Sequence, residues 1–140
     1  MGALLRMAFE TVQRRMLEGL HAAGFDDLDT PHLTVLQYPG PEGMRPSDLA
    51  ARLQMSKQAL NYMLGELERM GYLERRPDPN DLRARRIALT RRGHEIIPVI
   101  REAVRATERE WAAALGDDRV EELRSLLVEI RALQQTGDAT

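Results

Sequence analysis

Apolar residues recur at three- and four-residue steps along most of this chain, and the breaks in that rhythm mark where helices start and stop. Leu5, Ala8, Val12, Met16 and Leu20 form one stripe, which predicts a helix over 3–23 ended by Gly24. An acidic loop, 26–29, follows. Thr30 as N-cap and Pro31 at the first helical position predict a second helix carrying Leu33 and Leu36, stopped by the Pro- and Gly-rich run 39–43. Pro46 opens a short third helix with Leu49, Ala50 and Leu53 inward and Arg45, a poor cap, before it. A tight turn at Gln54 and Met55 leads to Ser56, a good N-cap for a fourth helix that ends at Gly71. Met55 and Leu60 are spaced as a hydrophobic staple across that start.

The rhythm then changes to the two-residue alternation of strands. Residues 72–76 and 85–89 read as a β-hairpin, with Ile87 and Leu89 inward and a long basic tip around a turn at 77–81. Thr90 caps a long helix running to about Leu115, with Ile96, Ile100, Ala103, Val104, Thr107 and Trp111 available for burial. Pro98 falls inside it, removing one backbone hydrogen bond at a cost of about 3 kcal/mol, and a bend is expected there. Gly116, Asp117 and Asp118 break this helix. A last one carries Val120, Leu123, Leu127, Ile130 and Leu133, and the tail from Gln134 is expected to fray. The elements give a mainly α fold with a small β-hairpin wing (α+β). The order short helix, tight turn, second helix, hairpin is that of a winged helix-turn-helix.

Composition removes several function classes. The 140 residues include no cysteine, so disulfides, thiolate metal sites and thiol redox sensing are excluded. His21, His32 and His94 have no metal-site spacing, and no metal or other cofactor is expected. No catalytic Ser-His-Asp set, carboxylate pair or phosphate-cradling glycine loop is present, so an enzyme is not expected. No apolar run reaches the roughly 20 residues of a membrane span, nor does the N-terminus read as a signal peptide; a cytoplasmic location is the expectation.

The net charge of −2 hides an asymmetry. Residues 45–93 hold eleven basic and six acidic side chains, a surplus of five, so the flanks carry −7. One segment suited to phosphates between acidic flanks points to nucleic acid. At 100° per residue, Leu60, Met63, Leu64 and Leu67 form the buried side of the fourth helix. Lys57, Gln58, Asn61 and Tyr62 then lie on or beside the outer face near its N-terminus, behind the Ser56 cap. Gln and Asn can pair with adenine, Lys with guanine or phosphate, and a helix N-terminus itself attracts phosphate. Arg75, Arg76, Arg83, Arg85 and Arg86 cluster on the hairpin, where exposed ion pairs would add little to folding but a polyanion would be held. Asp81 stands two residues before Arg83 and is expected to orient its guanidinium.

The stretches 46–60 (PSDLAARLQMSKQAL), 67–73 (LERMGYL) and 76–93 (RPDPNDLRARRIALTRRG) resemble the MarR (multiple antibiotic resistance regulator) family. Its wing signature, Asp-x-Arg and then Leu-Thr-x-x-Gly, is met by Asp81, Arg83, Leu89, Thr90 and Gly93. The resemblance implies one MarR-like domain over 1–140, with a DNA-binding region at 30–93 and dimerisation helices at 3–24 and 94–135. It also implies a homodimer on palindromic double-stranded DNA, usually a repressor that a small molecule releases. Family members without cysteine sensors commonly bind aromatic or phenolic anions. Arg14, His21, His32 and Tyr38 are the candidate effector contacts. The family often has glycine where this chain has Gln54, a strained choice if φ is positive there. The apolar stripes of the flanking helices exceed what so small a core can cover, which supports pairing independently. Trp111 fits either an interface or the chain's own core. A winged helix serving as a ligand- or protein-binding module without operator recognition is the alternative reading.

Overall fold

The periodicity places the helices where they form. A computed structural model describes residues 1–137 as α1 (Gly2–Ala22), α2 (Thr30–Leu36), α3 (Pro46–Leu53), α4 (Lys57–Arg69), β1 (Leu73–Asp78), β2 (Asp81–Leu89), α5 (Arg91–Leu115) and α6 (Asp117–Gly137). β1 and β2 form one antiparallel hairpin. No described helix is long and apolar enough to cross a membrane. The core gathers Met16 and Leu20 of α1, Leu33 and Leu36 of α2, Leu49 of α3, and Leu60, Leu64 and Leu67 of α4. Tyr72, Ile87 of β2 and Ile96 of α5 close it. Burying a leucine of this kind is worth about 2 kcal/mol, so α4, with three on one face, is held mainly by packing.

Local chemistry sets the ends. Ser56 Oγ accepts from the Ala59 N–H at 3.1 Å, and Thr90 Oγ1 from the Gly93 N–H at 3.1 Å, so both forecast caps form. The start of α2 differs from the forecast: Asp29, not Thr30, is the N-cap. Asp29 has the extended backbone a cap needs, and its N–H donates to His32 Nδ1 at 3.0 Å. Gln54 closes α3 at φ 52° and ψ 39°, the one positive φ outside glycine among the described residues. That left-handed turn costs about 1 kcal/mol for a residue with a β-carbon. α5 runs unbroken through Pro98. α6 continues in helix past Gln134 to Gly137 rather than fraying at 134, and residues 138–140 lie outside the described part.

The hairpin is the largest departure. Its strands extend to Asp78 and from Asp81, so the tip is a tight turn at Pro79 and Asn80 and not a long loop from 77. Tyr72 precedes the strand as a core residue. Pairing runs in register from Leu73 opposite Leu89 to Pro77 opposite Arg85, then shifts so that Asp78 faces Asp81. Leu82, Arg83 and Ala84 are thereby left without cross-strand partners, as a bulge. A single bridge between Met44 and Ile87 ties the segment before α3 to the other edge of β2.

Tyr72 holds this lobe to the long helices. Its hydroxyl donates to Asp27 Oδ1 at 2.5 Å, and the Arg92 guanidinium lies over its ring at 4.4 Å while reaching Asp27 Oδ2 at 3.2 Å. Burial, and then the bond to Asp27, push the Tyr72 hydroxyl well above the usual phenol range, so it remains a donor. Gly93 sits against this cluster. A β-carbon there would overlap the Tyr72 carbonyl oxygen and crowd Leu89, which is why glycine follows Leu89 and Thr90 at this spacing.

Candidate nucleic-acid interface

The helical pitch of α4 divides its residues cleanly. Leu60, Leu64 and Leu67 are buried, Met63 packs against the core, and Lys57, Gln58, Asn61 and Tyr62 are exposed. No hydrogen bond or ion pair within the described chain engages those four side chains. A depression of about 230 Å³ opens between the starts of α3 and α4, lined by Pro46, Ser47, Lys57, Leu60 and Asn61. The result is a polar face next to two helix N-termini.

The wing arginines are not equivalent. Arg75 Nε donates to Glu68 Oε1 at 2.9 Å, and Arg76 pairs with Glu74. Arg86 points inward: its Nη2 donates to the Gly43 carbonyl at 3.1 Å and its Nη1 lies 3.7 Å from Asp78. Only Arg83 and Arg85 of the five have no ion pair among the described residues, and both are exposed. Sequence reasoning placed Arg86 with the outward group. The strand's alternation could not separate them, because Ile87, Ala88 and Leu89 are all buried and the base of β2 is covered on both faces.

Two carboxylates shape the tip. Asp78 is fully buried, and it accepts from the Asn80 N–H at 2.9 Å and from Arg45 Nε at 2.7 Å. The Asn80 amide, then the Arg45 guanidinium, hold the Asp78 carboxyl below the usual range despite burial; Arg45 is raised in return. The sequence showed Arg45 only as a poor cap and Asp78 only as part of a turn. Asp followed two residues later by Asn, in a proline-rich run, is the signal of an Asx-turn that could have marked Asp78. Asp81 behaves differently from the expectation. Its Oδ1 accepts from the backbone N–H of Arg83 at 3.0 Å, so it fixes the main chain and not the guanidinium.

The four effector candidates do not converge. Arg14 pairs with Glu18 at 3.1 Å on the exposed side of α1, and His21 Nε2 bonds the Leu28 carbonyl at 2.7 Å. His32 is committed to Asp29, with its Nε2 3.6 Å from Glu66, and Tyr38 carries Arg52 over its ring at 5.6 Å. An apolar furrow of about 460 Å³ lies instead between α1 and α5, lined by Gly19, Pro98, Val99, Glu102, Ala103 and Ala106. Trp111 is half-buried, facing a groove of about 300 Å³ between α5 and α6 with Val120, Leu123 and Leu127. Large apolar side chains stay exposed on α1 (Leu4, Leu5, Met7, Phe9) and on α6 (Leu126, Leu127, Val128, Ile130, Leu133).

Comparison with known proteins places this arrangement. A sequence profile described as the MarR family matches residues 26–84, the stretch from the α1–α2 loop to the wing. The transcriptional repressor MprA of Escherichia coli strain K12 is 28% identical over 134 residues, 90% of this chain and 76% of its own. The crystal structure of apo MarR from E. coli superposes with a TM-score of 0.73 at 28% identity, over 93% of this chain and 96% of that one. CouR from Rhodococcus jostii RHA1, solved with p-coumaroyl-CoA bound, gives 0.68 at 25% identity over 92% and 90% of the two chains.

Proposed function

Because the chain belongs to the MarR family, we propose that it is a homodimeric, sequence-specific transcriptional repressor of the cytoplasm that leaves a palindromic operator when a small molecule binds. The observation that carries this is the pairing of an uncommitted polar face on α4 with the two unpaired arginines of the adjacent wing. In this reading α4 enters the major groove. Gln58 and Asn61 read base edges, Lys57 and the Ser56-capped helix start meet guanine or phosphate, and Tyr62 packs beside them. Arg83 and Arg85 reach the backbone and minor groove, where the potential is most negative. Arg75 and Arg76 form the rim, Asp81 shapes the tip, and Arg86 braces it. The role is binding, with no catalytic step.

The apolar faces of α1 and α6 support the dimer. No α6 side chain is fully buried in the protomer among the described residues, Val120 being half-buried against α5, and a helix that covers so little of its apolar face gains from a further partner. A twofold pair also places two recognition helices on one DNA face, about one helical turn apart or a multiple of it. CouR binds an aromatic acyl thioester, and the α1–α5 furrow offers an apolar wall of the matching kind. In this reading an aromatic or phenolic effector lies against the furrow, and Arg14, His21, His32 and Tyr38 already have partners within the protomer.

The test is fluorescence anisotropy with duplex DNA from upstream of the chain's own gene, over a range of salt and with added phenolic acids. Binding should fall steeply with salt. Arg83→Ala should weaken it by about ten-fold or more with the thermal midpoint unchanged. Arg86→Ala should instead lower the midpoint, since it removes the brace on Gly43 and Asp78. Salt-independent or absent binding would leave a ligand- or protein-binding module as the function.

A further inference from the structure

Most large apolar side chains exposed on this protomer belong to the N-terminal helix and its cap, to the end of α5, or to α6, and a second copy accounts for them. Among the described residues two do not: Tyr62 on the outer face of α4, and Leu82 at the wing tip. Leu82 is 85% exposed, and its neighbour in the bulge is the unpaired Arg83. Nothing in the fold gains from a leucine there. It touches no core residue, and its backbone is held by others: Asp78 grips the Asn80 N–H on one side, and Asp81 grips the Arg83 N–H across it. The tip is a fixed mount that presents one apolar and one cationic side chain side by side.

We propose that Leu82 is an apolar wedge in the DNA minor groove and sets sequence preference beneath the wing. This rests on the DNA-binding reading and adds a determinant to it. The minor-groove walls are deoxyribose carbons, which a branched apolar side chain can cover, and leucine is among the residues that pry base steps apart there. The steps that yield most easily are pyrimidine–purine, above all TA. Arg83 alone would favour a narrow, stiff A-tract. With Leu82 beside it, the preferred half-site flank is A·T-rich but broken by a TA step. The preference comes from DNA deformability and needs no hydrogen bond to a base edge.

Selection of a random-sequence duplex library on the full chain tests this. Wild type should enrich a palindrome whose flanks, outside the bases read by α4, carry a TA step. Leu82→Asn, close in size but polar, should lose that flank preference while keeping the inner bases, and should bind the wild-type sequence about five-fold more weakly. Leu82→Met, which keeps apolar bulk, should retain it. Because Leu82 is exposed, both variants should keep the wild-type thermal midpoint. Identical flanks from wild type and Leu82→Asn would overturn the wedge while leaving the regulator reading intact. A wild-type chain that enriches no sequence would overturn both. Arg83→Ala serves as the control: it should weaken binding overall and lower the A·T content of the selected flanks, while the TA step that Leu82 selects is still enriched.

Discussion

Asp78 shows how one side chain can decide the shape of a functional surface. It is a fully buried carboxylate whose partners come from its own turn and from Arg45, thirty-three residues earlier. A carboxyl held below its ordinary value stabilises the fold at every pH above the unfolded value of about 4. That contribution is lost only as the pH falls through the depressed folded value. The difference in unfolding free energy between wild type and Asp78→Asn should therefore be flat from neutrality to about pH 5 and shrink below about pH 4. Urea titrations across that range measure it, and a difference that changed between pH 6 and 8 would contradict the assignment. Single residues were also where the sequence was least legible. The exposed face of α4 follows from helical pitch alone, so Lys57, Gln58, Asn61 and Tyr62 were readable. The roles of Arg86 and Arg45 depend on what lies opposite them in space, and no local pattern encodes that.

At the scale of elements, legibility followed the range of the forces involved. Helices appear where apolar spacing repeats, because that spacing is the condition for burying one face. The cap of α2 shifted by one residue because two adjacent residues can both cap, and the bond to His32 favours Asp29. The strands grew past their apolar stretch because Asp78 pins the turn and Met44 bridges the far edge of β2, both non-local effects. The junction of the wing with α5 makes the sharpest demand. Gly93→Ala places a methyl group against the Tyr72 carbonyl and Leu89, and should destabilise the chain by about 2–3 kcal/mol. Thermal unfolding is the check. Because the strain falls on the Tyr72 cluster, protection of amides in β1 and the first turn of α5 should drop before that of α1.

The whole molecule divides its charge and its apolar surface between two tasks. The basic surplus lies in residues 45–93, the part proposed to meet DNA, and the acidic excess on the flanks, so an overall charge of −2 is compatible with a polyanionic partner. The exposed leucines of α1 and α6 belong to pairing in the proposed dimer. Leu127→Glu puts a charge into that surface at a residue 45% exposed in the protomer, and should weaken association by more than about ten-fold. Sedimentation equilibrium would report it, and DNA affinity should fall with it, since in the proposed dimer each protomer reads half of the palindrome.

α5 also fixes a mechanical ratio. Its first turn is welded to the wing lobe through Gly93 and Arg92, and its far end reaches the α6 side of the molecule. Twenty-five residues make a rod about 37 Å long. Pivoted at one end, such a rod converts each degree of tilt into about 0.65 Å of travel at the other. A molecule that tilts it by about 5° would shift the wing lobe, the proposed reading head, by about 3 Å, close to the rise of one base pair. In the proposed dimer that shift applies to both heads, and a gauge set for one spacing no longer measures it.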